Sequence, residues 1–379
     1  MPTALILATL DTKPEEIAYL TDRMAFHGVT AVTVDVSLKS HGATLDGPGK
    51  LVAMETAATR ALEAVHHAME SGINTVVGLG GGTGAEIILK VLRAMPITFP
   101  KVLVTTLPFD PRFALADNSV ILVPTLADIC GLNATLREVL ENAAAMVAGL
   151  CQTRRKAEAC VLQPSIGITA LGATEGAVAP LLGALKLRAK EATVFHANGF
   201  GGAAFARFAE RGAFHSIIDL TPHELTRTLI AGAHVPMPTR FTASPEVARI
   251  VLPGALNFIG LGELSLIPDH YLARPHYTHS GLFTHVKLTK DEMAAMARAL
   301  AATLNAATGP RTLIIPMGGF SHQDRPGGAI EDPDLRATFR DTMRARLNAD
   351  VRIVELDTHI TDPAVTGAIL DALPVHAPA

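Results

Sequence analysis

Short apolar runs alternate with longer stretches of helical period along the first 150 residues. Residues 4–8 (Ala-Leu-Ile-Leu-Ala) read as a strand, and 14–27 as a helix opened by Pro14, Glu15 and Glu16. Further strands are predicted at 31–36, 74–79, 101–106 and 120–123, and helices at 51–69, 85–93 and 132–150. Within 51–69, Leu51, Met54, Ala58, Leu62, Val65 and Met69 share one helical face. Strands separated by helices imply right-handed βαβ units and a parallel sheet.

The rhythm breaks at 153–163, where Thr153-Arg154-Arg155-Lys156 makes the most polar junction of the chain. This is the predicted linker between a domain at 1–152 and a second at 164–379. The second half restarts with strands at 165–170, 193–196, 216–220, 250–252, 312–315 and 352–356. Helices are predicted between them at 176–188, 203–211, 223–230, 290–305, 333–347 and 362–373. Residues 257–284 are rich in Gly, Pro and His without a clear period, so they read as an irregular arm. The predicted class is α/β: two Rossmann-like domains, each a mainly parallel sheet flanked by helices. Ligands of such sheets bind outside the carboxyl ends of the strands, and two facing domains would enclose a ligand cleft.

Composition narrows the function. Of 379 residues, 49% are hydrophobic and 18% charged, below the roughly 25% charged of an average globular chain. That deficit points to large buried surfaces, a subunit interface included. The net charge of −4 and the 4% aromatic content, with no tryptophan, argue against a nucleic-acid partner. The N-terminal apolar run is short and ends at Asp11, so it reads as a first strand and not a signal peptide. No apolar stretch is long enough to span a bilayer. Cys130, Cys151 and Cys160 form no CxxC pair, which fits a reduced, cytoplasmic chain with ordinary buried thiols.

The sharpest local signal is Gly78-Leu79-Gly80-Gly81-Gly82-Thr83-Gly84 between a strand and a helix. Glycines let backbone approach an anion, the N–H groups of a helix start point at it, and Thr83 adds a hydroxyl. No loop lysine is present, so this is not the usual P-loop. The bland reading is a tight strand-to-helix turn. Two other strand ends would lie beside it: Thr9-Leu10-Asp11-Thr12-Lys13, and Thr105-Thr106. Asp11 either caps a turn or holds Mg2+. In the second half, His196-Ala197-Asn198-Gly199 ends a strand and could form an anion or carboxylate pocket. His196 either does acid–base work there or bonds the loop. Glu224 stands in a helix first turn, where an acid is ordinary dipole chemistry. His270, His276, His279 and His285 crowd the arm without a recognised ligand spacing. Residues 317–328 read as a mobile polar lid. Asp357-Thr358-His359 follows the last strand, with Asp362 and Pro363 as a helix start.

Taken together, residues 9–13, 78–84, 101–106, 128–133, 195–202, 219–225, 253–256, 304–305 and 357–363 resemble an ATP-binding domain family. This family is named after the tomato mosaic virus resistance protein and occurs in bacteria, fungi and plants. The resemblance spans essentially the whole chain. It implies two Rossmann-like domains, ATP with Mg2+ on the first, and self-association as a dimer or larger homo-oligomer. The ATP contacts it carries over are Thr9, Asp11, Thr12, Gly81, Gly82, Thr83, Gly84, Thr105 and Thr106. The chain differs from the family's usual form at Gly80-Gly81-Gly82, where many relatives have a serine, and at 107–112.

The expected activity is an ATP- and Mg2+-dependent reaction on a small anionic metabolite, by phosphoryl transfer or ATP-driven activation. His196, Asn198, Glu224 and His359 are the candidate catalytic residues. Two alternatives stay open: a nucleotide-gated binding module without turnover, and a lyase or isomerase that uses second-domain histidines and no ATP.

Overall fold

Five segments rich in β-branched residues pair side by side in the first half. They are Thr3–Ala8 (β1), Thr30–Asp35 (β2), Thr75–Gly80 (β3), Lys101–Thr105 (β4) and Ile121–Pro124 (β5). All pairings are parallel, in the order β2-β1-β3-β4-β5. The structure is a computed structural model and describes residues 1–38, 45–153 and 164–374. Helices Pro14–Phe26 (α1), Gly47–Glu70 (α2), Gly82–Ala94 (α3), Pro111–Leu115 (α4) and Ala134–Thr153 (α5) connect and flank the strands. Ile17, Leu20 and Met24 of α1 join Leu136, Leu140 and Val147 of α5 in one core. Met54, Ala61 and Val65 of α2 join Ile87, Ile88 and Val91 of α3 in another. Because β1 buries Ala4, Ile6 and Ala8 in the first and Leu5 and Leu7 in the second, the sheet lies between two helical layers.

Helix α2 buries the predicted face except at its first residue, with Leu62 and Met69 packed at the edge of the core. Its buried line is Met54, Ala57, Ala58, Ala61 and Val65, while Leu51 stays exposed. Hydrophobic period weights leucine above alanine, whereas packing selects small side chains that let backbones come close.

The second half repeats the scheme with Ser165–Ala170 (β6), Ala192–His196 (β7), Phe214–Asp219 (β8) and Ala248–Val251 (β9). Helices Glu175–Leu187 (α6), Gly201–Glu210 (α7) and Glu224–Leu229 (α8) follow the first three strands. The predicted irregular arm is instead a small antiparallel sheet. Phe258–Leu261 (β10), His276–Ser280 (β11) and Phe283–Lys287 (β12) pair in the order β10-β12-β11, with the short helix Asp269–Leu272 (α9) between the first two. Most of β11 is exposed, so it carries no apolar period for sequence reading to find. Helix Lys290–Ala306 (α10) follows, held by a Thr289/Glu292 capping box. Then come Arg311–Pro316 (β13), Pro333–Arg346 (α11), Arg352–Leu356 (β14) and Pro363–Ala372 (α12). The main sheet is parallel, in the order β14-β13-β9-β8-β6-β7.

The chain divides into two compact units, Met1–Leu162 and Gln163–Ala379. The predicted linker lies outside the described residues from position 154 onward. In each main sheet the first strand has the second on one side and the third on the other. This strand order puts a crevice at the carboxyl ends of β1 and β3, and another at β6 and β8.

Candidate functional site

At the first crevice the glycine segment is divided in a way its sequence does not show. Gly78 and Gly80 are strand residues, Gly81 is the N-cap of α3, and Gly82, Thr83 and Gly84 form its first turn. A Cβ on Gly78 would sit 2.4 Å from Ile88 Cγ2, and one on Gly80 would sit 2.8 Å from Gly84 C and Ala85 N. These two glycines therefore serve helix-on-strand packing, as the bland reading had it. Gly81 and Gly82 differ: the nearest atom to a Cβ on Gly81 is Thr106 Oγ1 at 3.9 Å, and Gly82 has open space. No side chain caps α3. The N–H groups of its first turn have no carbonyl to reach, which leaves them and the positive end of the helix dipole facing outward.

Two hydroxyl-bearing strand ends lie beside this turn. Thr9 follows β1, bonds Thr12 through Oγ1···Oγ1 at 2.7 Å, and lies 3.4 Å through Cγ2 from a Cβ placed on Gly84. Thr105 pairs with Gly80 across β3 and β4; it is fully buried and its hydroxyl has no partner among the described residues. Asp11 is exposed, with its N–H on Ser37 Oγ at 3.3 Å. Lysine stays out of the site among the described residues: Lys13 Nζ bonds Ile129 O, and Lys101 Nζ bonds Pro96 O at 2.7 Å. Beside α3 opens a cleft of about 670 Å³ lined by Gly82, Thr83, Glu86, Leu89, Arg93, Pro108, Phe109 and Asp110. Asp110 caps α4 and bonds Arg112, and both contacts lower its carboxyl.

The second crevice is built from buried ions. Arg240 donates Nη1 to Asp219 Oδ2 and Nη2 to Asp219 Oδ1, each at 2.8 Å, and Nη2 to Glu224 Oε2 at 3.2 Å. Thr169 Oγ1 donates to Asp219 Oδ1 at 2.7 Å and accepts Thr221 N–H at 3.0 Å. Burial works against the Asp219 charge, but Arg240 and Thr169 overcome it and its pKa falls. Glu224 is raised, by burial first. It is the first-turn acid its position in the sequence implied, but fully buried.

The other candidates of the second unit are engaged locally. Asn198 Oδ1 accepts the N–H groups of Phe200 (3.1 Å) and Gly201 (3.0 Å), which closes the turn into α7. His359 has both ring nitrogens in use. Nδ1 accepts Thr361 N–H at 3.3 Å and meets Thr361 Oγ1 at 2.8 Å, so Nε2–H donates to Ser321 O at 2.9 Å. Through these bonds His359 ties the last strand to residues 317–328. That segment is pinned too, for Phe320 and Ser321 are buried and Asp324 takes Phe320 N–H at 2.9 Å and Arg336 Nη1 at 2.5 Å. His196 remains open, exposed at the end of β7, its imidazole lowered by burial of its inner edge and by Arg227.

Sequence reading passed over His223, Arg227 and Arg240, all at most 8% exposed. Arg240 lies outside any regular element, and its partner Asp219 is 21 residues away. A His-x3-Arg spacing in a short helix was the one available hint. His285 also proves buried, stacked on Phe258 with centroids 4.0 Å apart. Among the described residues no group of three or more His, Cys, Asp and Glu could hold a metal ion, and no helix is long and apolar enough to cross a membrane. Cys130 is exposed, against expectation; Cys151 is buried, and Cys160 lies outside the described residues.

Two parallel-sheet α/β domains, each with a crevice where its strand order reverses, define the class of this chain. It belongs to the uncharacterised protein family UPF0261, whose N-terminal domain matches residues 2–156 and C-terminal domain 163–375. It is similar to the UPF0261 protein RA0729 of Rhizobium meliloti, 32% identical over 98% of both chains. It is also similar to the ToMV resistance protein Tm-1(GCR237) of Solanum lycopersicum, 26% identical over 98% of this chain and 55% of that protein. A solved C2-type ketoreductase from a modular polyketide synthase matches at 17% identity with a TM-score of 0.26, covering 98% and 84% of the two chains, which is too low to bear on either fold or function.

Proposed function

We propose that the first unit binds ATP with Mg2+ and that the protein is an ATP-dependent enzyme acting on a small anionic metabolite. The observation that carries the nucleotide is the uncapped first turn of α3 beside the buried, unpartnered Thr105 hydroxyl. Free N–H groups and the helix dipole suit phosphate oxygens. The residues present fit the nucleotide: Gly81 and Gly82 leave room at the helix start, and Thr9, Thr12, Thr83 and Thr106 offer hydroxyls around it. Leu89, Pro108 and Phe109 give the adjoining cleft an apolar wall for a base. A cation with one carboxylate ligand and several waters is ordinary for Mg2+, and Asp11 is the carboxylate for that role. When bound, ATP would supply an electrophilic phosphoryl group and Mg2+ would neutralise its charge. The protein's own part is positioning.

Calorimetry with ATP and Mg2+ tests this reading. Saturable binding that weakens in a Gly82→Val variant supports it, and no heat at millimolar ligand with wild type overturns it. Turnover of ATP in the presence of candidate metabolites separates an enzyme from a nucleotide-gated module.

A further inference from the structure

Among the described residues no carboxylate neutralises the charge of Arg227 by direct contact. It is 8% exposed, its Nη1 donates to Ala233 O at 2.7 Å, and its Nε has no partner among the described residues. The nearest acid along its helix, Glu224, pairs with Arg240 instead. A buried, unpaired guanidinium is costly, and such groups are kept where a ligand supplies the counter-charge. The Nε and Nη2 edge is left free, and this is the edge that takes a carboxylate through two parallel bonds.

His223 faces the same spot. It is fully buried, and its Nδ1–H donates to Ala255 O at 2.8 Å. That bond fixes the tautomer, so Nε2 is a bare acceptor, and it has no donor. The two groups converge on Gly260. A Cβ there would lie 2.9 Å from Arg227 Nη2 and 3.0 Å from His223 Nε2. Both residues follow the carboxyl end of β8, beside the crevice that the strand order of the second sheet sets up. Exposed His196, at the end of β7, is within electrostatic reach of Arg227.

We propose that Arg227 and His223 form a binding site for a small 2-hydroxycarboxylate. The guanidinium edge takes the carboxylate, and His223 Nε2 accepts the proton of the neighbouring hydroxyl. The acceptor nitrogen separates this ligand from a phosphate monoester, because the monoester dianion has no donor to offer and its oxygens repel the imidazole lone pair. The site gives the anionic substrate of the preceding proposal its docking point. It rests on that half of the proposal and not on the nucleotide.

Isothermal titration of the full chain with glycolate, acetate and methyl phosphate tests it. Glycolate binds saturably, and acetate and methyl phosphate bind at least about tenfold more weakly. Arg227→Gln abolishes glycolate binding, Arg227→Lys keeps part of it, and His223→Phe binds glycolate and acetate alike. ATP binding by Arg227→Gln is unchanged, so loss of one ligand is distinguishable from failure of the nucleotide reading. Arg227→Gln melts no lower than wild type, since a buried unpaired charge has been removed. The proposal is overturned by equal glycolate affinity in wild type and a folded Arg227→Gln or Arg227→Lys, by preference for methyl phosphate, or by no saturation with glycolate on the order of tens of millimolar.

Discussion

Arg240 forks onto both oxygens of Asp219 at 2.8 Å, with the two side chains 0% and 1% exposed. Removing one partner strands the other charge in the core. Arg240→Ala is expected to lose about 3–5 kcal/mol of stability, read from urea unfolding. A loss below about 1 kcal/mol would mean that water or Arg249 takes over the Asp219 charge.

Gly80 and Gly82 are two positions apart and separate packing from binding. Gly80→Ala drives a Cβ to 2.8 Å from the backbone of α3, and a loss of about 1–3 kcal/mol is expected. Gly82→Ala meets nothing within 4 Å, so its melting temperature holds or rises while ATP affinity falls. Equal melting losses in the two variants would contradict this division.

Thr9 and Asp11 report on different parts of the nucleotide. Thr9→Val removes a hydroxyl beside the helix start and weakens ATP several-fold, with or without Mg2+, as the net value of one hydrogen bond to a charged group implies. Asp11→Asn leaves metal-free ATP binding intact and removes the gain that Mg2+ gives. Binding curves recorded with Mg2+ and with a chelator decide this; an Asp11→Asn variant that keeps the full Mg2+ gain rules the carboxylate out.

Two buried histidines set an acid limit. Burial and the Arg227 charge hold His223 down to about 3, and burial with the His279 charge holds His285 down to about 4, against 6.5 for a free imidazole. Unfolding releases both to take protons, so the unfolded chain binds more protons below pH 6.5 and stability falls as pH drops toward 4. Asp324, raised by burial from 3.8 to about 6, has the opposite sign, because the folded chain keeps a proton that the unfolded chain has lost. His285→Phe preserves the ring against Phe258 and removes one of the two histidine protons. Its stability between pH 6 and 4 should fall less steeply than wild type, by up to about 1.4 kcal/mol per pH unit. Parallel slopes for the two proteins would mean that His285 is not protonated differently in the folded and unfolded chains.

Strand and helix order was legible because the main sheets carry regular apolar runs, as in residues 75–80, every one of which is buried. The small antiparallel sheet was not, because β11 spends most of its length in solvent and its histidines carry no periodicity. In the first unit the threonines and glycines could be named from sequence, since strand ends and helix starts are local features. Which glycines pack and which stay open could not, because Ile88, ten residues beyond Gly78, decides it. In the second unit the polar pattern misled. Glu224 reads as an ordinary first-turn acid, but it is buried against Arg240, and no local rule links residues 16 apart.

The rings of His279, His285 and Phe258 run from the surface toward buried His223, with His279 to His285 at 5.2 Å and Phe258 to His223 at 4.8 Å. Tyr277 stands beside that row, 6.2 Å from the His285 ring and 6.4 Å from His279. The chain has no tryptophan and three tyrosines, so no indole drains their emission. Tyr19 belongs to the first unit, and Tyr271 lies under Arg274. Tyr277 is therefore a built-in fluorophore beside this row of rings, where a shift of the stack changes its quenching without any added dye.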